Sequence, residues 1–193
     1  MKKIFACFLL ILFSLPGFTQ LNAEQVVIKK TFFDFLSYYK KNEVAFNTFK
    51  LYRGTGAENS PPYCIQWKEA EKYFAFLRKQ VPYVGEAYIK AEKQHFKNAD
   101  SLFRLYPEDE IPAGFDYDRW GGGQESVQYM YKWYTSPKNK YLVIIAGNTA
   151  VLKIGSGLWE GASENDRSWN IVPFVKEKGK WKMADNIYPA NEE

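Results

Sequence analysis

The sequence predicts one α+β domain in which N-terminal helices pack on an antiparallel sheet formed by the C-terminal half. Up to about residue 105, apolar residues recur at helical spacing, whereas from Val127 onward short β-rich runs alternate with turn residues. Helices followed by consecutive strands favour an α+β fold over an α/β fold, in which helices and strands alternate. With 46% apolar and 25% charged residues, the composition excludes disordered and fibrous proteins.

The N-terminus has the pattern of a cleaved export signal at 1–23. Two lysines precede an apolar run at 4–13, and a Pro-Gly pair ends the run before a segment of small residues. The run is shorter than the roughly 20 residues that a permanent membrane helix needs. Cleavage after Ala23, or earlier after Thr19, leaves one mature domain at 24–193. We therefore expect a bacterial periplasmic or secreted protein.

Charge and metal-binding residue types exclude two classes of function. The chain has 26 basic and 22 acidic residues, and two of the lysines belong to the signal. This small excess of positive charge does not support nucleic-acid binding. One histidine, and one cysteine outside the signal, are too few for a His/Cys metal site. We therefore expect no metal, no cofactor and no stable membrane span.

Three helices are predicted in the N-terminal half. Apolar side chains at Ile28, Phe32 and Phe35 share one face and predict a helix over 25–41. A turn-rich loop follows at 53–63, and further apolar stripes then predict helices over 66–80 and 83–105. Pro82 separates the last two, since proline is tolerated where a helix starts but not inside it.

Strands are predicted after a rim loop at 107–126, which is rich in glycine, aromatic and acidic residues. Alternation from Val127 to Trp133 predicts the first strand. Gly147 and Asn148 predict a tight turn between strands at 141–146 and 149–154. A polar loop at 160–168 then leads to the closing hairpin, whose arms at 169–176 and 180–187 flank Gly179.

Four segments carry a resemblance to a known family. They are the aromatic helix at 32–39, Gly114-Phe115-Asp116-Tyr117-Asp118, Gly122-Gly123-Gln124-Glu125, and the terminal 178–187 segment with its Gly-Lys-Trp-Lys sequence. Together they resemble the NTF2-like (SnoaL-like, cystatin-like) superfamily, nearest to exported bacterial proteins of the DUF3828 type. The resemblance implies a strongly bent sheet and helices around a cone-shaped cavity, with a homodimer as an option by analogy. It transfers no reaction, because this superfamily contains enzymes, binding modules and interaction domains.

Titratable residues give the candidates for catalysis. In NTF2-like enzymes an Asp, Glu or His inside the cone typically acts as a base, often beside a polarising Tyr or Asp. Burial among aromatic rings would move the pKa of such a base toward neutrality. The alternative for His95 is a partly buried structural histidine, and for the acids it is the capping of turns. The candidates are His95, Asp100, Asp116, Asp118 and Glu125, with Tyr129 or Tyr131 as hydrogen-bond donors.

Aromatic residues give the candidates for binding, because they make up 18% of the chain. Most phenylalanines are expected in the core, whereas Tyr and Trp carry a polar group that needs a partner. On a strand facing the cavity, Tyr129, Tyr131 and Trp133 would form one wall. The full candidate set is Trp120, Tyr129, Tyr131, Trp133, Trp159 and Trp181.

The sequence therefore favours an exported, non-catalytic binding or interaction module. Its contact surface would be the aromatic pocket together with the rim loop, and its partner a small hydrophobic or aromatic ligand or another protein. The first alternative is a small cofactor-free isomerase, hydratase or lyase that uses a buried carboxylate or His95. The second is an inhibitor or immunity-type protein that blocks an enzyme through the same loop.

Overall fold

The computed structural model describes residues 22–158 and 160–190, and these residues have the predicted α+β architecture. The predicted signal, apart from Asn22 and Ala23, and Trp159 lie outside the described residues. Within the described parts of the chain, no helix combines the length and apolar character that crossing a bilayer requires. The elements are α1 (Ala23–Phe46), β1 (Tyr52–Gly54), β2 (Tyr63–Ile65), α2 (Trp67–Gln80), α3 (Glu86–Leu105), α4 (Val127–Tyr134), β3 (Lys140–Ala146), β4 (Thr149–Gly155), β5 (Trp169–Glu177), β6 (Lys180–Met183) and β7 (Tyr188–Pro189).

Helix α1 begins at a capping box and is longer than predicted. The Asn22 side chain accepts a hydrogen bond from the Gln25 N–H (3.0 Å), and the Gln25 side chain accepts one from the Asn22 N–H (2.8 Å). The helix continues past the predicted end at residue 41, through a non-helical Asn42, to Phe46. The Phe46 ring packs edge-on against Tyr39 at 4.9 Å, so its burial stabilises the extra turn.

Helix α3 begins at Glu86, three residues later than predicted, and is capped by a residue of the sheet. Its N-cap position is Gly85, which has no side chain to accept a hydrogen bond. The Glu177 carboxylate of β5 accepts from the N–H groups of Glu86 (3.1 Å) and Ala87 (3.0 Å) instead. The preceding linker is held by β6, because the Met183 N–H donates to the Tyr83 carbonyl (2.9 Å).

The main sheet is antiparallel, in the order β3-β4-β5-β6, and β7 pairs with β5. The β3–β4 turn lies at Gly147, whose φ of 61° is the left-handed conformation that the prediction of a tight turn required. Val143, Leu152 and Val172 lie in register and are buried on the face that α1 covers. Leu142 and Ile144, on the opposite face of β3, are exposed.

The prediction of a strand at Val127–Trp133 is wrong, because this segment forms helix α4. Ser126 caps it by accepting from the Tyr129 N–H (3.3 Å). Val127, Met130 and Tyr134, which recur at helical spacing, are the buried residues. The alternating aromatic residues suggested a strand, but only one helical face of this segment enters the core.

Candidate ligand-binding site

The rim loop is held over the core by a short internal turn. The Asp118 carbonyl accepts from the Gly122 N–H (2.8 Å), and the Asp118 N–H donates to the Gly123 carbonyl (2.8 Å). Gly122 has a φ of 70°, and a Cβ at this position would lie 3.0 Å from Cβ of Ile187 and from the Tyr134 hydroxyl oxygen. A glycine is therefore needed for both conformation and space, and the turn fixes the side chains that precede it.

Trp120 anchors the rim loop in the aromatic core. Its side chain is buried, and its ring stacks on Tyr88 with the centroids 5.0 Å apart and the planes 11° apart. Phe46 approaches it edge-on at 5.0 Å and Phe35 at 5.8 Å. The loop is thus attached to both α1 and α3, which places Asp118 and Arg119 in the protein interior.

Asp118 is a half-buried carboxylate with one satisfied oxygen. Its Oδ1 accepts from the Tyr39 hydroxyl (2.9 Å) and from the Trp120 N–H (2.9 Å). Its Oδ2 is buried and has no hydrogen-bond partner among the described residues. Burial raises the pKa of Asp118, and the donated hydrogen bonds offset only part of that effect.

Arg119 lies deeper, with only 8% of its side chain exposed. Its guanidinium carbon lies 4.7 Å from the ring centroids of both Phe96 and Phe115. Its Nη2 lies 3.6 Å from Oε2 of Glu92, which is fully buried. Burial opposes the charge of Arg119, but the Glu92 carboxylate together with Tyr73 and Tyr88 outweighs burial, so the pKa of Arg119 is raised.

A buried polar cluster completes the surroundings of Glu92. Its Oε1 lies 3.4 Å from the Tyr73 hydroxyl, 3.5 Å from the Tyr88 hydroxyl and 3.4 Å from the Asn186 amide nitrogen. Tyr88 also donates to the Asn186 side chain. The cluster joins α2, α3 and the C-terminal segment around the carboxylate that pairs with Arg119.

A cavity of about 360 Å³ lies between the C-terminal end of α1 and the rim loop. Seven of its fifteen lining residues are aromatic, and three carboxylates line it as well. The aromatic residues are Tyr39, Phe46, Phe49, Tyr73, Phe115, Tyr117 and Trp120, and the carboxylates are Glu43, Asp118 and Glu125. We call this the aromatic cavity; it is concave and combines aromatic rings with several charged and polar groups.

A scan against protein-family models gives no match, and neither does a search of curated proteins. A search of solved structures finds a similarity to the crystal structure of the type VI native effector-immunity complex Tae3-Tai3 from Ralstonia pickettii. The identity is 16%, the match covers 64% of this chain and 93% of that chain, and the TM-score is 0.26. At that TM-score the similarity carries no argument about fold or function.

The aromatic cavity contains three of the residues that the sequence singled out. Trp120, Asp118 and Glu125 all line it. Asp116 is exposed on the rim loop and does not line it. Trp181 also lies elsewhere, buried on the inner face of β6 with the Lys176 ammonium 5.5 Å from its ring centroid.

The wall predicted from Tyr129, Tyr131 and Trp133 does not exist, because successive side chains of helix α4 diverge. Tyr129 and Trp133, one turn apart, line a separate shallow surface groove. Tyr131 is partly buried, with the Lys40 ammonium 4.1 Å from its ring centroid. None of the three lines the aromatic cavity.

His95 is partly buried and lies beside the C-terminal segment. Its Nε2 lies 3.1 Å from Oδ1 of Asp185 and 2.7 Å from the Tyr188 hydroxyl, which itself donates to Asp185 (2.7 Å). The hydrogen bond with Asp185 raises the pKa of His95, and burial opposes it. The cluster fastens the C-terminal segment to α3.

Sequence reasoning missed Glu43, Phe49 and Arg119 as cavity residues. Glu43 and Phe49 lie at and beyond the end of a helix whose length was underestimated. One sequence feature could have indicated Arg119: it is a cation between Asp118 and Trp120 in a glycine-rich loop. Among residues 22–158 and 160–190, no three His, Cys, Asp or Glu side chains are arranged to hold a metal ion.

Proposed function

We propose that this protein is a non-catalytic binding protein whose aromatic cavity accepts an organic cation with an apolar or aromatic body. The observation that supports it is the convergence of aromatic rings and carboxylates on one cavity. An ammonium or guanidinium group gains from aromatic faces and from carboxylates together. The apolar body would replace water against Phe46 and Phe49.

The charges of the cavity wall favour a cation over an anion. Glu43 and Glu125 form no ion pair with any described lysine, arginine or histidine, so their charges remain uncompensated by the protein. Among the described residues that line the cavity, Arg119 is the single cation, and the buried Glu92 opposes its charge. A ligand cation near Glu43 and Glu125 would restore the balance.

The experiment uses phenethylammonium as the probe and phenethyl alcohol as its neutral counterpart, with binding followed by NMR chemical-shift changes. We expect the alcohol to bind at least about 10-fold more weakly, since it lacks the charge-assisted contacts. Glu43→Gln and Glu125→Gln should each weaken binding of the ammonium probe. Glu71→Gln, which makes the same charge change on the outside of α2, should not. Equal binding of the two probes would refute the proposal.

The cation has two possible sources, a free small molecule or a lysine or arginine side chain of a partner protein. Both use the same chemistry and would make the same contacts in the cavity. A lysine-containing peptide titrated beside the free probe separates them. Stronger binding of the peptide, weakened by Glu125→Gln, indicates a protein partner and would agree with an inhibitor or immunity-type role.

A second candidate function follows from Asp118. A half-buried carboxylate with a raised pKa, one oxygen without a hydrogen-bond partner and a tyrosine on the other oxygen has the environment of a general base. If it abstracts protons from carbon acids, the protein should accelerate deuterium exchange of a ketone probe, and Asp118→Asn should abolish that. No acceleration over buffer leaves the non-catalytic proposal in place.

We also propose that the chain is a distant NTF2-like protein that is exported. The order of helices followed by antiparallel strands supports the kinship, and the charged and apolar regions at 1–23 support export. Mass spectrometry of protein from the periplasm or medium should give an N-terminus between Gln20 and Glu24. An intact Met1 would contradict export by signal cleavage.

A further inference from the structure

A second, smaller cavity of about 180 Å³ lies on the other side of the rim loop, against α3. Its polar wall residues are His95 and Asn98 from α3 and Tyr117 and Arg119 from the rim loop. Every one of these side chains can donate a hydrogen bond. No carboxylate lines this cavity among the described residues, in contrast to the aromatic cavity.

Arg119 is the central donor of this second cavity. Its guanidinium is more than nine-tenths buried and is held by Phe96, Phe115 and Glu92. The separation of 3.6 Å from Glu92 is an ion pair but is longer than a hydrogen bond. The planar group carries five N–H donors, so it retains donors for a ligand that a carboxylate would satisfy in a bidentate manner.

The other donors are also available to a ligand. The Asn98 side-chain oxygen accepts from Gln94 (2.9 Å), which leaves the Asn98 NH₂ group to donate. His95 uses Nε2 for Asp185 and Tyr188, which leaves Nδ1. Asp185 and Glu92, the counter-charges of His95 and Arg119, do not line the cavity, so the polar side chains that face a ligand there are hydrogen-bond donors.

We infer that the second cavity binds the carboxylate of a short-chain organic acid. The carboxylate would accept hydrogen bonds from Arg119, Asn98 and protonated His95. The remaining wall is apolar, formed by Ala99, Leu102, Ala113 and Phe115. It suits a short alkyl chain better than a strongly hydrated inorganic phosphate. The volume equals that of about six waters in the liquid, which limits the ligand to a few carbon atoms.

The test is an NMR titration with butyrate, and with butyramide and inorganic phosphate as comparisons. Butyrate should bind saturably and butyramide about 10-fold or more weakly, because it lacks the charge. The paired variant Glu92→Gln/Arg119→Gln removes the guanidinium and its bidentate donors without leaving a buried charge, and should lose about 10- to 100-fold in affinity. Arg104 is an exposed arginine on α3, and the Arg104→Gln variant should bind butyrate as the wild type does.

Two further variants keep the inference testable if the paired variant does not fold. Tyr117→Phe and Asn98→Leu alter exposed side chains and should each weaken binding of butyrate by about 2- to 10-fold. The affinity for butyrate should also fall as pH rises through the pKa of His95, and His95→Gln should remove that dependence. The titratable and charged groups near His95 are Asp185, Tyr188, Glu92 and Arg119. Equal binding of butyrate and butyramide, stronger binding of phosphate, or no saturable shift overturns the inference.

Discussion

Arg119 and Glu92 form a buried ion pair, with Nη2 and Oε2 3.6 Å apart, and this pair couples the rim loop to α3. Arg119 belongs to the rim loop and Glu92 to α3. Because each charge compensates the other, a charged loop residue can lie against the rings of Phe96 and Phe115. The two cavities share Arg119 as a wall residue, so the pair sets the position of both.

Removing one partner of this pair should be strongly destabilising. Glu92→Leu leaves Arg119 buried without a counter-charge and should cost about 3–5 kcal/mol of unfolding free energy. The double variant Glu92→Leu/Arg119→Met should recover much of that loss, since no isolated charge remains. Urea denaturation of the three proteins measures both values. A loss below about 1 kcal/mol in the single variant would show that the pair does not hold the loop.

Stability should depend on pH through His95, the only histidine of the chain. Its pKa is raised above 6.5 in the folded protein, chiefly by Asp185. The stabilisation is therefore fully present below pH 6.5 and is lost as pH rises through the folded-state pKa. The amplitude should stay under about 1 kcal/mol because both side chains are partly exposed. His95→Gln should flatten the profile; an unchanged profile contradicts the assignment.

Asp185 should give the opposite dependence in acid. Burial acts to raise its pKa, but hydrogen bonds from His95, Tyr188 and the Asn186 N–H outweigh burial and lower it below 3.8. Its stabilisation is present above pH 3.8 and is lost as pH falls through the lower folded-state pKa. Denaturation of wild type and Asp185→Asn between pH 2 and 6, as an approximate range, measures this. A wild-type protein that gains stability on acidification there relative to the variant would contradict it.

The capping of α3 by Glu177 should be measurable. Glu177→Ala leaves the N–H groups of Glu86 and Ala87 without acceptors and should cost about 0.5–2 kcal/mol. A Cβ at Gly85 would collide with the Glu177 carboxylate. Gly85→Ala should therefore cost more in the wild type than in the Glu177→Ala protein. Additive losses in this double-mutant cycle would mean that the two positions do not interact.

Two glycines of the rim loop offer a matched comparison. Gly122 and Gly114 both have left-handed φ angles, of 70° and 78°, but a Cβ at Gly114 would meet nothing within 4 Å. Gly114→Ala should cost about 1 kcal/mol from conformation alone. Gly122→Ala should cost more, because it also presses on Ile187 and Tyr134. Thermal denaturation of the two variants compares their losses of stability. Equal losses would show that space at Gly122 is not limiting.

The fold class could be predicted because long periodic segments dominate it. The spacing of Ile28, Phe32 and Phe35 defines one face of a helix whatever packs against it. Gly147 indicates a turn because glycine readily adopts the left-handed conformation that the turn needs. The segment at 127–134 could not be assigned by alternation alone, since aromatic residues occur on both faces of this short helix. Its better signal was the helical spacing of Val127, Met130 and Tyr134 behind the cap Ser126.

The sequence pointed to residues of the candidate cavity only where neighbours in sequence also lie together in space. The rim loop brings Asp118 and Trp120 to one cavity because two residues of a tight turn remain close. Glu43 reaches the same cavity from α1, and no local pattern relates it to residue 118. The partner of Arg119 is Glu92, on a different element, and such a pairing depends on tertiary structure rather than on periodicity.

The most direct measurement of the binding proposal is a set of intermolecular NOEs between phenethylammonium and the protein. Cross-peaks from the probe's ring to the side chains of Phe46 and Phe49 are the predicted result, with the ammonium end near Glu43 and Glu125. Cross-peaks confined to the exposed sheet face at Leu142 and Ile144 would contradict the proposed site.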